Sequence, residues 1–500
     1  MVVREATHQV AEVHAQYVAN GWQSVAGNPE FDGMGLPSTV ANAVSEMVQT
    51  GNLAYSLLPM LTSDAAIALE EHGTEELKQK YLAKLITGEW AGTMLLTEPQ
   101  AGSDLGALKA RAVRDGDQFR ISGTKIYITW GDHELSNNII HFVLARIEGA
   151  PEGVRGISMF LVPKFLVGDN GETGERNDLR ATSLEHKLGI HCSPTCVMSF
   201  GDNDGAIGYL VGEEGKGLAT MFTMMNHARL GVGQQGLAVS ERAFQLARAY
   251  ANDRVQGRVP GQEGRVAIIH HADVRRMLML MRSQIEAMRA VTFTAAAQVD
   301  MSHHGSDEEV RAAAEGRLSL LTPVVKGWCT EKSEEITSLG IQIHGGMGYV
   351  EETGAAQHYR DARILAIYEG TNGIQAADLA GRKILGDEGR EIRKLISELR
   401  EVCAGMQGDE ALATIADSVS AGLDQLEEIV EDPLADAEEL RGYFNRRAEI
   451  RQAFLDEFLA VEPPERLHDF HQVALEIVTR LTAAESRQAE EAERIDNLVS

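Results

Sequence analysis

The sequence predicts a mainly α chain with a β domain set in its middle. Three observations carry this. Aromatics make up only 5% of the 500 residues and Pro is scarce (12), while Ala, Leu, Glu, Arg and Met are common, a helix-rich composition. Short runs rich in β-branched and aromatic residues cluster between about 93 and 205. Long apolar-periodic stretches flank that block on both sides. Strands do not alternate with helices, which argues against a doubly wound parallel sheet.

Taken in order, residues 1–92 predict a helical domain. The Leu/Ala/Met-rich run Leu53–Leu69 is one helix, and Thr74 followed by two Glu starts another, with acids where the helix dipole favours them. Residues 93–207 predict the β domain. QFRISGTKIYIT, HFVLARI, GISMFLVPK and TCVMSF read as strands, and GYLVGEEGKGL (208–218) closes the block with glycines. Residues 208–386 predict long helices over Leu218–Val255, His270–Gln298 and about 309–340, with an exposed loop at SHHGSDE (302–308). Residues 387–500 predict an acidic helical tail, broken at Pro433 and Pro463-Pro464.

Charge narrows the function. The formal net charge is −28, and residues 401–500 hold 24 acids against 8 arginines and no lysine. Nucleic acid and anionic membrane require basic surface, so neither is expected as the main partner. The four cysteines make no disulfide framework, which suits a reducing cytoplasm. Cys192 and Cys196 beside His191 lack a second Cys/His pair at finger spacing, so they read as small residues on a strand and no metal site is expected. MVVREATHQV carries no apolar core of a signal peptide, and no uncharged 18-residue apolar run suggests a membrane span.

Gly231-Val-Gly233-Gln-Gln-Gly236 spells a dinucleotide fingerprint, with Asp253 about twenty residues on. That motif works only after a strand, and TMFTMMNHARL before it reads as helix. The glycines are better suited to close helix packing.

Four other stretches carry chemistry. LLTEPQAGSDLGAL (95–108) offers backbone N–H groups and hydroxyls in a tight loop, suited to polar ring atoms or a phosphate, or to a plain interdomain turn. KIYITWGDH (125–133) ends a strand with aromatics at Tyr127 and Trp130 that could flank a flat ring or fill a core. GIQIHGGMGYV (340–350) is a glycine-rich break between helices, either a phosphate cradle or a helix stop. AIYEGTNGIQ (366–375) sets Glu369 alone between apolar residues and a turn.

In this order, TEPQAGSD, K-x-Y-I-T, N-x-A-R (226–229), Y-A-N-D-R (250–254), QIHGG and IYEGT resemble the acyl-CoA dehydrogenases over roughly residues 1–385. HHADVRRMLMLMRSQIEAMRA, KGWCTEKSEE and EETGAAQHYRDARI are most similar to the branch that includes 3-methylmercaptopropionyl-CoA dehydrogenase, which carries an extra C-terminal helical domain. The resemblance implies a helical N-terminal domain, a middle β-barrel and a C-terminal four-helix bundle, with FAD bound between them. It also implies that relatives begin several dozen residues earlier and that the segment after about 430 departs from the branch.

By the same resemblance, Glu369 is the catalytic base. It would take the α-proton of an acyl-CoA thioester in a water-poor site, walled by Ile367 and Tyr368, where burial makes a carboxylate a stronger base. Gly370 would leave room for substrate and polarise the thioester carbonyl through its N–H. FAD would take the β-hydride, a 2-enoyl-CoA would form, and an electron-transfer flavoprotein would receive the electrons. Leu96, Thr97, Ser103, Tyr127 and Thr129 are implied FAD contacts, with Tyr127 where Trp is usual, Thr129 near flavin N5 and Trp130 where Asn is common. Arg254, Gln342, Gly345 and Gly346 are implied FAD contacts from a neighbouring subunit, so a dimer or a dimer of dimers is implied. Thr371 and Asn372 are implied as further FAD contacts, with Gly373 where Gln is common. Ser103, Asn226 (for the usual Asp) and Arg229 are implied substrate contacts.

Two other readings remain open from the sequence: an acyl-CoA oxidase, which passes electrons to oxygen, and a non-catalytic helical binding protein on the same fold.

Overall fold

The computed structural model describes residues 7–435 apart from residue 169; the Pro463-Pro464 break expected above and the chain's first six residues lie outside them. The described chain divides into two compact units. One runs to Arg242 and includes Arg360–Ile364; the other runs from Ala243 to Tyr359 and resumes at Leu365.

The first unit opens with helices α1 (Thr7–Ala19), α2 (Ser38–Gly51) and α3 (Leu53–His72). Asn52 caps α3 by accepting from the Tyr55 N–H at 2.9 Å. Thr74 caps a broken helix in the same way, from the Leu77 N–H at 3.3 Å. That helix comprises α4 (Glu75–Leu77), a π-turn (Lys78–Leu82) and α5 (Ala83–Thr87).

Ten strands follow: β1 (Trp90–Leu95), β2 (Arg111–Asp115), β3 (Gln118–Thr129), β4 (Asn138–Ile147), β5 (Ile157–Pro163), β6 (Phe165–Val167), β7 (Thr173–Arg176), β8 (Leu179–Leu184), β9 (Thr195–Phe200) and β10 (Ala206–Val211). The main sheet runs β1-β4-β5-β10-β3-β9-β8, and β2 pairs with both β3 and β4. Strands β4, β5, β10, β3 and β2 therefore close on themselves as a barrel, which leaves them no free edge. β4 and β5 are apolar almost throughout because both of their faces are covered.

Three details differ from the sequence expectation. β1 begins at Trp90, three residues before the change of character at 93. GYLV is strand β10 rather than part of a closing glycine loop, since its backbone pairs with β3 and β5. Cys192 sits in a turn, and only Cys196 lies on a strand.

Close packing of α3 on β1 depends on Gly92. A Cβ there would lie 2.4 Å from Ala65 Cβ, and the Gly92 N–H donates to Thr62 Oγ1 on α3. The core shared by these elements includes Ala65, Leu69, Tyr81, Trp90, Phe142 and Met224.

Helix α6 (Gly217–Asp253) contains the whole GVGQQG stretch, so no strand presents those glycines to a pyrophosphate. Gly231 instead brings α6 close to α3: a Cβ there would lie 2.8 Å from Met60 Sδ.

In the second unit α7 (Ala272–His304) packs along α8 (Glu308–His344). The polar loop expected at 302–308 shrinks to three residues. Gly305 closes α7 with its N–H on the Met301 carbonyl, and Asp307 caps α8 by accepting from Val310 N–H at 3.0 Å. After α9 (Ala355–Ala362) come α10 (Asn372–Asp378) with a π-turn (Leu379–Ile384), then α11 (Arg390–Met406) and α12 (Glu410–Ala435). Pro433 lies within α12 rather than ending it. Leu320, Leu379, Ile384, Ile396, Leu423 and Val430 form one core that joins α8, the π-turn, α11 and α12.

Candidate active site

The TEPQ loop leaves the end of β1 and is tied down from several sides. Glu98 and Ala101 exchange both backbone hydrogen bonds. The Lys125 ammonium donates to the Leu96 carbonyl at 2.9 Å and to Glu98 Oε1 at 2.8 Å. Glu98 also accepts from the backbone N–H groups of Lys109 and Ala110. Ile126 N–H donates to the Thr97 carbonyl at 3.0 Å. Leu96 and Thr97, both half-buried, are thus fixed along β3, while Ser103 stands exposed at the loop's far side.

Lys125 and Glu98 escaped the sequence reading as functional residues, although both lie inside quoted motifs. The available signal was the Lys two residues before Tyr127, set between Thr124 and the apolar Ile126 in the strand that carries both. Burial lowers the Lys125 pKa to about 8, against the pull of the Glu98 carboxylate. For Glu98, burial pushes upward, but Lys125 and the two backbone donors outweigh it and hold the carboxyl below its usual range.

A β-bulge between Lys125 and Ile128 turns Tyr127 outward. Its backbone is left-handed, φ 61°, and the side chain is 61% exposed. Thr129, half-buried and paired with Thr195, ends the strand. Trp130 is also left-handed, φ 52°, but its ring is buried. Its indole N–H donates to the Ala54 carbonyl at 3.2 Å, and the ring meets His133 edge-on. Of the two aromatics proposed to flank a flat ring, Tyr127 is free to do so and Trp130 is spent on packing.

On α6, Asn226 is exposed and Arg229 is buried, one turn apart. Arg229 Nη1 lies 3.4 Å from Asn226 Oδ1, and its guanidinium stands over the Phe222 ring.

In the second unit Tyr250 stacks on His344 with ring centroids 4.5 Å apart. This brings the end of α6, with Arg254 one turn past Tyr250, beside the turn after α8 that carries Gly345 and Gly346. Gln342, Gly345 and Gly346 are exposed, and no heavy atom lies within 4 Å of a Cβ built on either glycine. Gly345 has φ 61° and needs to be Gly.

Glu369 and Gly370 are consecutive left-handed residues, φ 56° and 85°. Thr371 follows as the N-cap of α10, accepting from Ile374 N–H at 3.3 Å. Gln375 Nε2 lies 3.3 Å from the carbonyls of both Glu369 and Gly370. Glu369 and Tyr368 are half-buried. Ile367 departs from the expected apolar wall: it is 47% exposed.

These features suit the parts of FAD. An exposed aromatic face beside a hydroxyl fits a flat ring with nitrogen and carbonyl acceptors. Unobstructed glycine backbone beside an Arg fits a pyrophosphate. Among the described residues no group of three or more His, Cys, Asp or Glu is arranged to hold a metal.

Comparison with known proteins gives three consecutive family matches: the acyl-CoA dehydrogenase N-terminal domain over residues 2–89, the middle domain over 93–203 and the C-terminal domain over 215–384. The 3-methylmercaptopropionyl-CoA dehydrogenase of Ruegeria pomeroyi is 51% identical over 426 residues, covering 82% of this chain and 71% of that enzyme. A butyryl-CoA dehydrogenase of Syntrophomonas wolfei is 37% identical over 382 residues, 75% of this chain and 63% of the relative, so the match spans less than two thirds of that enzyme's length. The solved butyryl-CoA dehydrogenase of Megasphaera elsdenii superposes with a TM-score of 0.60 at 26% identity, covering 74% of this chain and 89% of its own. The chain belongs to the acyl-CoA dehydrogenase family, FAD-dependent oxidoreductases that act on acyl-CoA thioesters.

Proposed function

We propose that this chain removes the α-proton of a short-to-medium acyl-CoA with Glu369 and releases a 2-enoyl-CoA, with 3-methylmercaptopropionyl-CoA the first candidate substrate. The observation that carries the reading is the left-handed backbone of Glu369. A bulky non-Gly residue held there costs on the order of 1–2 kcal/mol, and such strain collects at functional sites. The identity of the substrate rests on the 51% identical relative.

Glu369 holds the α-proton once it leaves carbon. Gly370, with no side chain, admits the thioester and aims its N–H at the carbonyl oxygen. Bound FAD supplies the acceptor for the β-hydride. Leu96, Thr97, Tyr127 and Thr129 would hold its ring. Arg254, Gln342, Gly345 and Gly346 would hold its phosphate and adenine side, with Thr371 contributing its exposed hydroxyl. Ser103, Asn226 and Arg229 would face the acyl-CoA.

An electron-transfer flavoprotein as acceptor follows from family membership. Assembly as at least a dimer is supported by the exposed apolar residues Met347, Tyr349 and Val350 beside the glycine turn. A cytoplasmic location is supported by free thiols at all four cysteines. No described helix is long and apolar enough to cross a membrane.

The test mixes the FAD-loaded protein anaerobically with a series of acyl-CoAs and follows flavin bleaching. Bleaching fastest with 3-methylmercaptopropionyl-CoA or butyryl-CoA, and lost in Glu369→Gln with FAD retained, is expected. Bleaching at the normal rate in Glu369→Gln removes the base assignment.

A further inference from the structure

Asn372 stands three residues after Glu369, and its half-buried side chain is spent on groups of α8. Its Nδ2 donates to Glu331 Oε2 at 2.9 Å and to the Gly327 carbonyl at 3.2 Å. Its Oδ1 accepts from the Lys326 ammonium at 3.0 Å. The Thr330 hydroxyl lies 3.1 Å from that same oxygen and 2.7 Å from the Lys326 carbonyl, so one proton serves both. An ammonium on one side and a carboxylate with a carbonyl on the other admit a single orientation of the amide. The backbone N–H of Asn372 donates to the Ala366 carbonyl at 3.1 Å, closing the loop across Glu369. The side-chain amide of Asn372 is thus fully engaged within the protein.

Lys326 is fully buried in the middle of α8. Burying an ammonium costs several kcal/mol unless it is well paired, so its presence under a turn of polar backbone calls for a task. Gln375, 1% exposed, reaches the carbonyls of Glu369 and Gly370 from the same side. The two left-handed residues are therefore held by two side chains of α10: Asn372, which bonds to α8, and Gln375, which bonds to their own carbonyls.

We infer that Lys326 and Asn372 are positioning residues for Glu369: the buried ammonium of α8 grips the Asn372 amide and sets the base loop at one height above the helix. The inference rests on the reading of Glu369 as base. It moves Asn372 from cofactor contact to anchor.

The test uses FAD-loaded wild type, Lys326→Met, Lys326→Arg, Asn372→Ala, the Lys326→Met/Asn372→Ala double variant and Glu369→Gln. Single-turnover flavin reduction by butyryl-CoA is measured, and amide exchange of the 366–376 peptide is followed in the FAD-free proteins. Lys326→Met and Asn372→Ala are expected to reduce flavin about 10- to 100-fold more slowly. Half-saturating substrate and FAD content stay within about twofold. Lys326→Arg recovers most of the rate, and the double variant is no slower than the worse single one. Exchange at 366–376 rises in both single variants. Should Lys326→Met not fold, Asn372→Ala decides alone. Wild-type reduction rates in variants whose Glu369→Gln counterpart is dead overturn the inference, as does unchanged exchange at 366–376. Normal bleaching in Glu369→Gln instead overturns the base reading, and the exchange measurement still decides whether Lys326 pins the loop.

Discussion

The Lys125 ammonium lies 2.8 Å from Glu98 Oε1 with both side chains shut away from solvent. This pair anchors the TEPQ loop to β3, and neither residue can be removed alone without stranding a buried charge. Glu98→Gln or Lys125→Met is expected to destabilise the protein by about 3–5 kcal/mol and to lower FAD content. Denaturant midpoints with flavin absorbance check both. The pH dependence has a definite sign. Lys125 has a folded pKa near 8, below that of an unfolded lysine. Between about pH 8 and 10.5 the unfolded chain therefore binds more protons, and this group makes stability rise with pH. Glu98 is held low, so its share is present above its unfolded pKa and is lost as acid takes it through its folded one. Lys125→Met should remove the alkaline rise.

The left-handed backbone at Glu369 separates stability from activity. Glu369→Gly and Glu369→Ala should both be inactive, yet Glu369→Gly should be the more stable of the two by about 1 kcal/mol. Thermal unfolding of the pair, side by side, checks this. Equal stability would mean that the backbone relaxes when the carboxylate is gone.

Tyr127 is exposed and set on a bulge, so its truncation touches little of the core. Tyr127→Ala should change stability by no more than about 0.5 kcal/mol while weakening FAD binding several-fold, read by titrating the FAD-free protein with FAD and following flavin fluorescence. Unchanged affinity would take Tyr127 off the cofactor.

Gly231 and Gly92 test the two glycine roles. Gly231→Ala meets only the flexible end of Met60 and should cost less than about 1.5 kcal/mol with FAD content unchanged. Gly92→Ala drives a methyl into Ala65 on a neighbouring helix and should cost more than that, about 2–3 kcal/mol. Loss of FAD specifically in Gly231→Ala would revive the dinucleotide reading.

His133 and His141 are buried in the β domain, and burial lowers each pKa to about 3. Unfolded histidine takes up a proton near pH 6.5, so stability from both is present above that pH and drains away as pH falls toward 3. His141→Gln should flatten the loss between pH 6.5 and 4, measured as thermal midpoint against pH. The wild-type slope persisting in that variant would place the acid sensitivity elsewhere.

Much of this molecule is legible in one dimension. Leu53–Leu69, TEEL at Thr74 and the four strand runs form where their periodicity and caps place them, because those signals act between residues a few positions apart. The order of motifs through IYEGT at Glu369 names the family. Long-range packing decided what local pattern could not. β2 reaches both β3 and β4, which turns a set of hairpins into a closed barrel. Trp130 is drawn into the core by an acceptor 76 residues away, while Tyr127, three residues before it, is pushed out by a bulge. Asn372 resembles a cofactor contact in sequence, and only the fold sets Lys326 and Glu331 beneath it, more than 40 residues earlier on another helix. Sequence by itself determined the elements and the chemistry to look for, since both depend on near neighbours and residue type. Tertiary structure decided which polar groups remain for ligand and which are consumed holding the protein together, because a hydrogen bond made inside the fold is no longer available outside it.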